Sequence, residues 1–263
     1  MSDLVRESDG ARHADRHGVL FALTSADPAA RREAFETAVE NRWLERGAGT
    51  VVRVVLIDNA VTSLRRAGFG RQLAALRPVP AYLAGMRSGA VIVVGPSTES
   101  DLDARIHREA EARGIRVLGI GTASPVPTAP DLDAAVVEAT HAAELSAAFA
   151  EFRPAVDVSA LGGWLLLATA KVDPASLAAV SPAAHTLVTH GDETQRRTVE
   201  TYLDVAGNVP AACEVLFIHR TTLYYRLERM PAEVRDALAD GMKRSTLHLA
   251  LKLIRLWEAG GRI

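Results

Sequence analysis

The run TVVRVVLID, residues 50–58, constrains the fold of this chain more than any other stretch, because a nearly unbroken β-branched run fits a buried strand. Helical spacing surrounds it. PAARREAFETAVENRWLERG reads as a helix, with Pro28 in its first turn, Ala34, Phe35, Ala38, Val39 and Trp43 recurring on one face, and Gly47 ending it. AVTSLRRAGFGRQLAAL supplies a second helical stretch behind the strand. Two short apolar runs, PAYLAG and AVIVVG, separated by MRSG, predict a β-hairpin turning near Ser88 and Gly89. SDLDARIHREAEARG follows as a helix, with Ser100 as its N-cap and Gly114 as its stop. IRVLGIGTA is again strand-like, and DLDAAVVEATHAAELSAAFAEF is a long alanine-rich helix. The order of strand, helix, hairpin, helix, strand, helix argues for an α/β sandwich with a mixed sheet.

The chain has 263 residues, 48% of them hydrophobic and 24% charged, enough for a sizeable core and for two domains. Pro125, Pro127 and Pro130 lie in a loop between the last strand and helix, so the boundary is placed near RPAVDVS, residues 153–159, where the sheet signals stop. Residues 1–47 are then a polar lead with one helix, 48–152 the α/β region, 153–192 a helical connector, and 193–263 a helical domain. The formal charge of -2 excludes a globally basic nucleic-acid binder, but a small binding module can sit within an acidic whole because the local field decides. The single cysteine, Cys213, forms no internal disulfide, suits a reducing compartment, and reads as a buried small apolar residue. MSDLVRESDGARHADRH lacks the apolar core of a signal peptide, and LGGWLLLATA is about half of what a membrane span requires. A cytoplasmic protein with no membrane partner is expected, and its abundant arginine and alanine suggest a bacterial genome rich in GC.

The C-terminal region carries the densest chemistry. ETQRRTVETYLDVAG places Val199, Tyr202 and Leu203 on one helix face and stops at Gly207, suited to a left-handed cap. Asn208 can cap the next helix, VPAACEVLF, with Pro210 in its first turn and Ala211, Ala212, Val215 and Leu216 permitting close packing. A break around Ile218 and His219 leads into RTTLYYRLERM, and two short helices joined by a tight turn are the layout of a helix-turn-helix. At 100° per residue, Leu227 lies about 40° and Met230 about 20° from Leu223, so these three face the core. Thr221, Tyr225 and Arg229 point roughly opposite, with Thr222 beside them, while Arg220, Tyr224 and Arg226 flank the core stripe within reach of a phosphate backbone. Such a face suits a DNA groove, where arginine pairs with guanine, threonine methyls touch thymine, and hydroxyls hold phosphates.

The stretch GNVPAACEVLFIHRTTLYYRLERM resembles the C-terminal helix-turn-helix of the PucR and CdaR family of bacterial transcription regulators, whose pattern carries the same HR-TL-YRL signature. The resemblance continues through LADGMKRSTLHLALKLIRL, residues 238–256, similar to the family's closing helix. It implies that His219, Arg220 and Thr222 open the recognition helix, with Tyr225 and Arg226 on its flank. Thr221 stands where many members carry asparagine, and PAEVRDA is shorter and less regular than the usual linker. Residues 51–149 are similar in element order to the degenerate GGDEF-like domain that precedes this helix-turn-helix in the family.

That likeness raises an enzymatic alternative, a nucleotidyl cyclase, which needs carboxylates holding metal ions beside a glycine-rich hairpin. Asp58 at the end of the first strand could be one ligand, but the hairpin AGMRSGAVIV carries no acidic residue. GIGTA and GFG lack the context of a phosphate loop, and His107, His141, His185 and His190 are scattered. The expected function is a DNA-binding transcription regulator of bacterial metabolism. It is expected to be non-enzymatic and without cofactor, to bind double-stranded DNA as a homodimer, and to take a small-molecule effector or dimerise through the α/β region. In the closing helix, Leu247, Leu249, Leu251, Leu253, Leu256 and Trp257 could contribute to that dimer, but are expected rather to be buried within their own domain.

Overall fold

The structure is a computed structural model and describes residues 16, 18–45, 49–75, 83–96, 101–126, 128–129, 131–170, 172–259 and 263. The chain separates into two compact units, Met1–Leu165 and Leu166–Ile263.

In the first unit the β-branched run forms β1 (Thr50–Ile57). It lies at the centre of a five-stranded mixed sheet of order β2-β3-β1-β4-β5, with β2 (Leu83–Arg87), β3 (Ala90–Pro96), β4 (Val117–Ala123) and β5 (Ala155–Asp157). Antiparallel pairing joins β1 to β3 and to β4, and β2 to β3, whereas β5 runs parallel to β4. The hairpin between β2 and β3 turns where the sequence places it. Ser88 and Gly89 are both left-handed, at φ 50° and 84°, the conformation of a type I′ turn whose twist matches the strands.

Helices cover both faces, which explains why β1 has no polar alternation. On one side α1 (Pro28–Glu40), α4 (Asp133–Ala148) and residues 18–23 bury Val52, Val54, Ile92 and Val94. On the other, α2 (Ser63–Ala74) and α3 (Leu102–Glu111) bury Val55, Ile57, Val91, Val93 and Ile120. Helix α1 stops at Glu40, seven residues before Gly47, which lies outside the described residues. Arg42 turns left-handed at φ 57°, and Trp43 packs back on the core from beyond the helix. Ser100, the expected N-cap of α3, also lies outside the described residues, as do Pro127 and Pro130; the residue flanking α3 is Asp101.

The segment 153–159, where sheet signals fade in the sequence, supplies β5. Three residues, AVD, are too few to show a period, and the strand is held by side chains as well as by its ladder. Arg53, Thr122 and Asp157 are register neighbours across β1, β4 and β5 and share a face. Arg53, 5% exposed, donates to Asp103 Oδ1 of α3 at 3.0 Å, and the Thr122 hydroxyl donates to Asp157 Oδ2 at 2.7 Å. Burial would raise the Asp157 carboxyl above its ordinary range, but hydrogen bonds from Ser159 and Thr122, with the charge of Arg53, hold it lower.

The second unit is helical: α5 (Gly163–Thr169) spans the division, then α6 (Leu177–Val180), α7 (Pro182–Thr189), α8 (Glu193–Asp204), α9 (Val209–Leu216), α10 (Arg220–Glu228), α11 (Ala232–Ala239) and α12 (Gly241–Ala259). PAEVRDA, irregular by pattern, folds as α11 by burying Val234 and Ala237. In α12 Leu247, Leu251, Leu253 and Trp257 are buried as expected, but Leu249 is 48% exposed because it falls on the outer side of the stripe. Among the described residues no helix is long and apolar enough to cross a membrane.

Ion pairs clasp α8 to α12. Glu200 accepts from Lys252 and Arg255, Asp204 from His248 at 2.6 Å and Lys252 at 2.8 Å, and Arg196 donates to Glu258. Burial alone would push the Asp204 carboxyl up, but the hydrogen bonds from His248 and Lys252 outweigh it and hold the group below the usual carboxylate range.

Candidate nucleic-acid interface

The candidate interface is assembled by three caps. Asp192 and Gln195 form a reciprocal capping box that opens α8. At its other end Ala206 and Gly207 are successive left-handed residues, φ 54° and 78°, which reverse the chain. Asn208 then caps α9, its side chain accepting from Ala211 N at 3.1 Å, with Pro210 in the first turn.

The turn between α9 and α10 is set by Phe217, left-handed at φ 54°, followed by His219 as the N-cap of α10. The sequence pattern runs helix through Phe217; the structure ends α9 at Leu216 and uses Phe217 to leave it. A β-carbon in this conformation costs roughly 1–2 kcal/mol. The ring gains nothing from burial in return, being 91% exposed. Phe217→Gly is therefore expected to leave stability unchanged or raise it, by up to about 1 kcal/mol once the greater freedom of glycine in the unfolded chain is counted. A clear loss of stability on calorimetry would show that the ring has a partner in the folded protein.

On α10 the angular sorting is resolved residue by residue. Leu223 is fully buried and Met230 is 3% exposed, whereas Leu227 is half-buried. His219, Arg220, Thr221 and Thr222 are exposed along the first turn. His219 Nδ1 accepts from the Thr221 hydroxyl at 3.0 Å and from Thr221 N at 3.4 Å. Tyr225 is 56% exposed and Arg229 folds back over it, its guanidinium 5.1 Å from the ring centroid and hydrogen-bonded to the hydroxyl.

Arg226 is placed differently from the rest. It is half-buried and donates to Thr198 Oγ1 of α8 at 3.2 Å, so it ties the helix to its support. Helix α10 packs against α8 and α9, and the small Ala212 of α9 is fully buried while Ala211 is half-buried. Cys213, expected to be buried, is half-buried on α9. Tyr224, expected on the flank within reach of a phosphate backbone, is 50% exposed. Thr221, Thr222, Tyr225 and Arg229 therefore share the outer side of α10 over a core of Leu223 and Met230, with Arg220 exposed on the flank of the first turn.

Asp58, the candidate metal ligand, is engaged locally: its carboxylate accepts from Ala60 N at 2.9 Å and lies 3.6 Å from the Arg116 guanidinium. Among the described residues no group of three or more His, Cys, Asp or Glu side chains is placed to hold a metal ion.

Residues 195–253 match the family described as the PucR C-terminal helix-turn-helix domain. No curated protein matches the sequence. Among solved structures, the crystal structure of a regulator of polyketide synthase expression from Bifidobacterium adolescentis is similar at 14% identity, covering 90% of this chain and 98% of that one. Its TM-score of 0.38 is too low for that likeness to bear on this chain.

Proposed function

We propose that this chain is a bacterial, non-enzymatic transcription regulator that reads double-stranded DNA with α10. The observation that carries the reading is the helix-turn-helix match over residues 195–253, joined to the polar, aromatic and basic outer face of α10. In such a module the start of the second helix enters the major groove and the first crosses the backbone. Arg220, Thr221 and Thr222 then approach base edges, Arg220 with a fork that fits guanine and the threonine methyls with contacts for thymine. His219, Tyr225 and Arg229 hold phosphates and fix register. Arg226 and the Gly207–Asn208 cap orient the helix, and Leu223 with Leu227 seats it.

The full chain titrated with labelled genomic fragments at low salt is the test. Affinity is expected to fall steeply with salt. Arg220→Ala is expected to lower affinity by roughly 10- to 100-fold, about 1–3 kcal/mol, and to relax preference at one base. Failure to retain any genomic fragment at low salt would sink the reading.

Helix-turn-helix modules read paired half-sites as dimers, so a homodimer with half-sites one helical turn apart is part of the proposal. Sedimentation with DNA and the spacing of protected bases check it. The α/β unit, with its apolar, structural pattern, serves as a dimerisation or effector-sensing module of this cytoplasmic regulator. The engaged carboxylate of Asp58 gives a cyclase reading no support.

A further inference from the structure

Among the basic side chains of the C-terminal helix, a half-buried one beside Gly207 stands apart from the ion pairs to α8. His248, Lys252 and Arg255 of α12 all meet carboxylates of α8. Arg244, one turn into the same helix, has no carboxylate partner among the described residues. It is held by other means. Its guanidinium carbon lies 5.6 Å from the centroid of the Tyr202 ring, near the end of α8. It also lies against Gly207: a β-carbon built there would stand 2.4 Å from Arg244 Nη2 and 3.4 Å from Cζ.

Gly207 therefore does two things. Its positive φ turns the chain out of α8, and its bare α-carbon makes room for a guanidinium directly before Asn208, the cap of α9. Arg244 is half-buried, its guanidinium held against Tyr202 and Gly207 without the residue being shut off from solvent. A guanidinium positioned in this way loses less freedom per hydrogen bond than a free lysine would, and its fork suits phosphate oxygens.

Its position relative to the helix-turn-helix decides what it would meet. The entry to α9 is the entry to the first helix of the module, the helix that crosses the DNA backbone. A cation seated there faces phosphate and not base edges.

We infer that Arg244 contacts a DNA phosphate at the entry of α9, so that the interface extends beyond the two helices of the module to the start of α12. This rests on the DNA-binding reading above. The residue acts through charge and position, with Tyr202 as its holder and Gly207 as the gap that admits it. A contact to phosphate carries no sequence preference, so its loss weakens binding evenly across sequences.

The test uses the full chain and a duplex cut from a fragment that the chain itself selects from genomic DNA, with affinity measured by anisotropy across a range of salt concentrations. Arg244→Gln keeps a polar stem of similar length and removes the charge; Arg244→Lys keeps the charge. Arg244→Gln is expected to lower affinity several-fold on selected and scrambled duplexes alike, and to reduce the slope of log K against log salt by about one. Arg244→Lys is expected to keep the wild-type slope. Tyr202→Leu, which removes the holder and no charge, is expected to weaken binding at an unchanged slope. Wild-type slopes in Arg244→Gln overturn the inference while leaving the DNA-binding reading intact. A wild-type chain that selects no DNA overturns both. Should Arg244→Gln fail to fold by circular dichroism while Arg244→Lys folds and loses the slope, the charge is not what the contact uses, and the inference falls.

Discussion

Gly121→Ala is expected to destabilise the α/β unit at or beyond the upper end of the about 1–3 kcal/mol that overpacking costs. The added carbon would stand 2.1 Å from the Ala139 carbonyl oxygen and 2.2 Å from Ala143 N, both backbone atoms of α4. A side chain can rotate away from such a clash; a helix backbone can only move as a whole. Gly119, two residues earlier on the same face of β4, meets α4 in the same way, 2.5 Å from Ala147 N. The helix answers with Ala139, Ala142 and Ala143, all fully buried, so strand and helix pack nearly backbone against backbone. Lifting α4 to admit a methyl would open the face that holds Val52 and Val94. Urea denaturation followed by circular dichroism measures the effect. Gly70→Ala in α2 is the control: its added carbon would lie at an ordinary 3.5 Å from Val91 Cγ1, and alanine favours a helix over glycine by roughly 0.5–1 kcal/mol. Equal midpoints for both variants would show that the close approach at Gly121 costs nothing.

That packing also shows where the sequence is legible and where it is not. The strand β1 and the hairpin at Ser88–Gly89 can be read because each states its own condition locally: a β-branched run, and a small flexible pair between two apolar runs. The helix-turn-helix can be read for the same reason, since Asn208 precedes Pro210 and Leu223 recurs with Leu227 and Met230 at helical spacing. The GIG of β4 shows no such local sign. Those glycines lack the context of a phosphate loop and carry no other sign, and only α4, folded back over them, reveals them as contact points. Strand β5 escapes because AVD is too short for a period, and its partners, Thr122 and the neighbouring Arg53, lie far off in sequence. Phe217 escapes because an aromatic residue is a poor signal for a left-handed turn. Arg244 looks like any exposed helical arginine until Gly207 is beside it. Phe217 apart, what is lost depends on a second segment.

Leu223→Ala is expected to cost the helical unit about 2–5 kcal/mol, the range for removing a buried leucine side chain and leaving its space behind. Leu223 is fully buried, and it is the deepest residue of α10; Val199, Leu203, Ala212 and Met230 are buried in the same unit. Of the helix, only Leu223 is buried outright, with Leu227 half-buried and Met230 just past its end, so no other side chain of α10 can take over its anchorage. DNA affinity should fall with the folded fraction, and should recover where low temperature or a stabilising osmolyte refolds the unit. Thr222→Ala and Tyr225→Ala set the contrast, because both residues are exposed. Each is expected to change stability by less than about 0.5 kcal/mol. Each is nevertheless expected to weaken DNA binding, with no recovery under refolding conditions. The two classes of variant separate the stripe that seats α10 from the face that reads. If Tyr225→Ala destabilises as much as Leu223→Ala, its ring belongs to the core despite its exposure. If Thr222→Ala and Tyr225→Ala both bind DNA as the wild type does, the reading surface lies elsewhere on the unit.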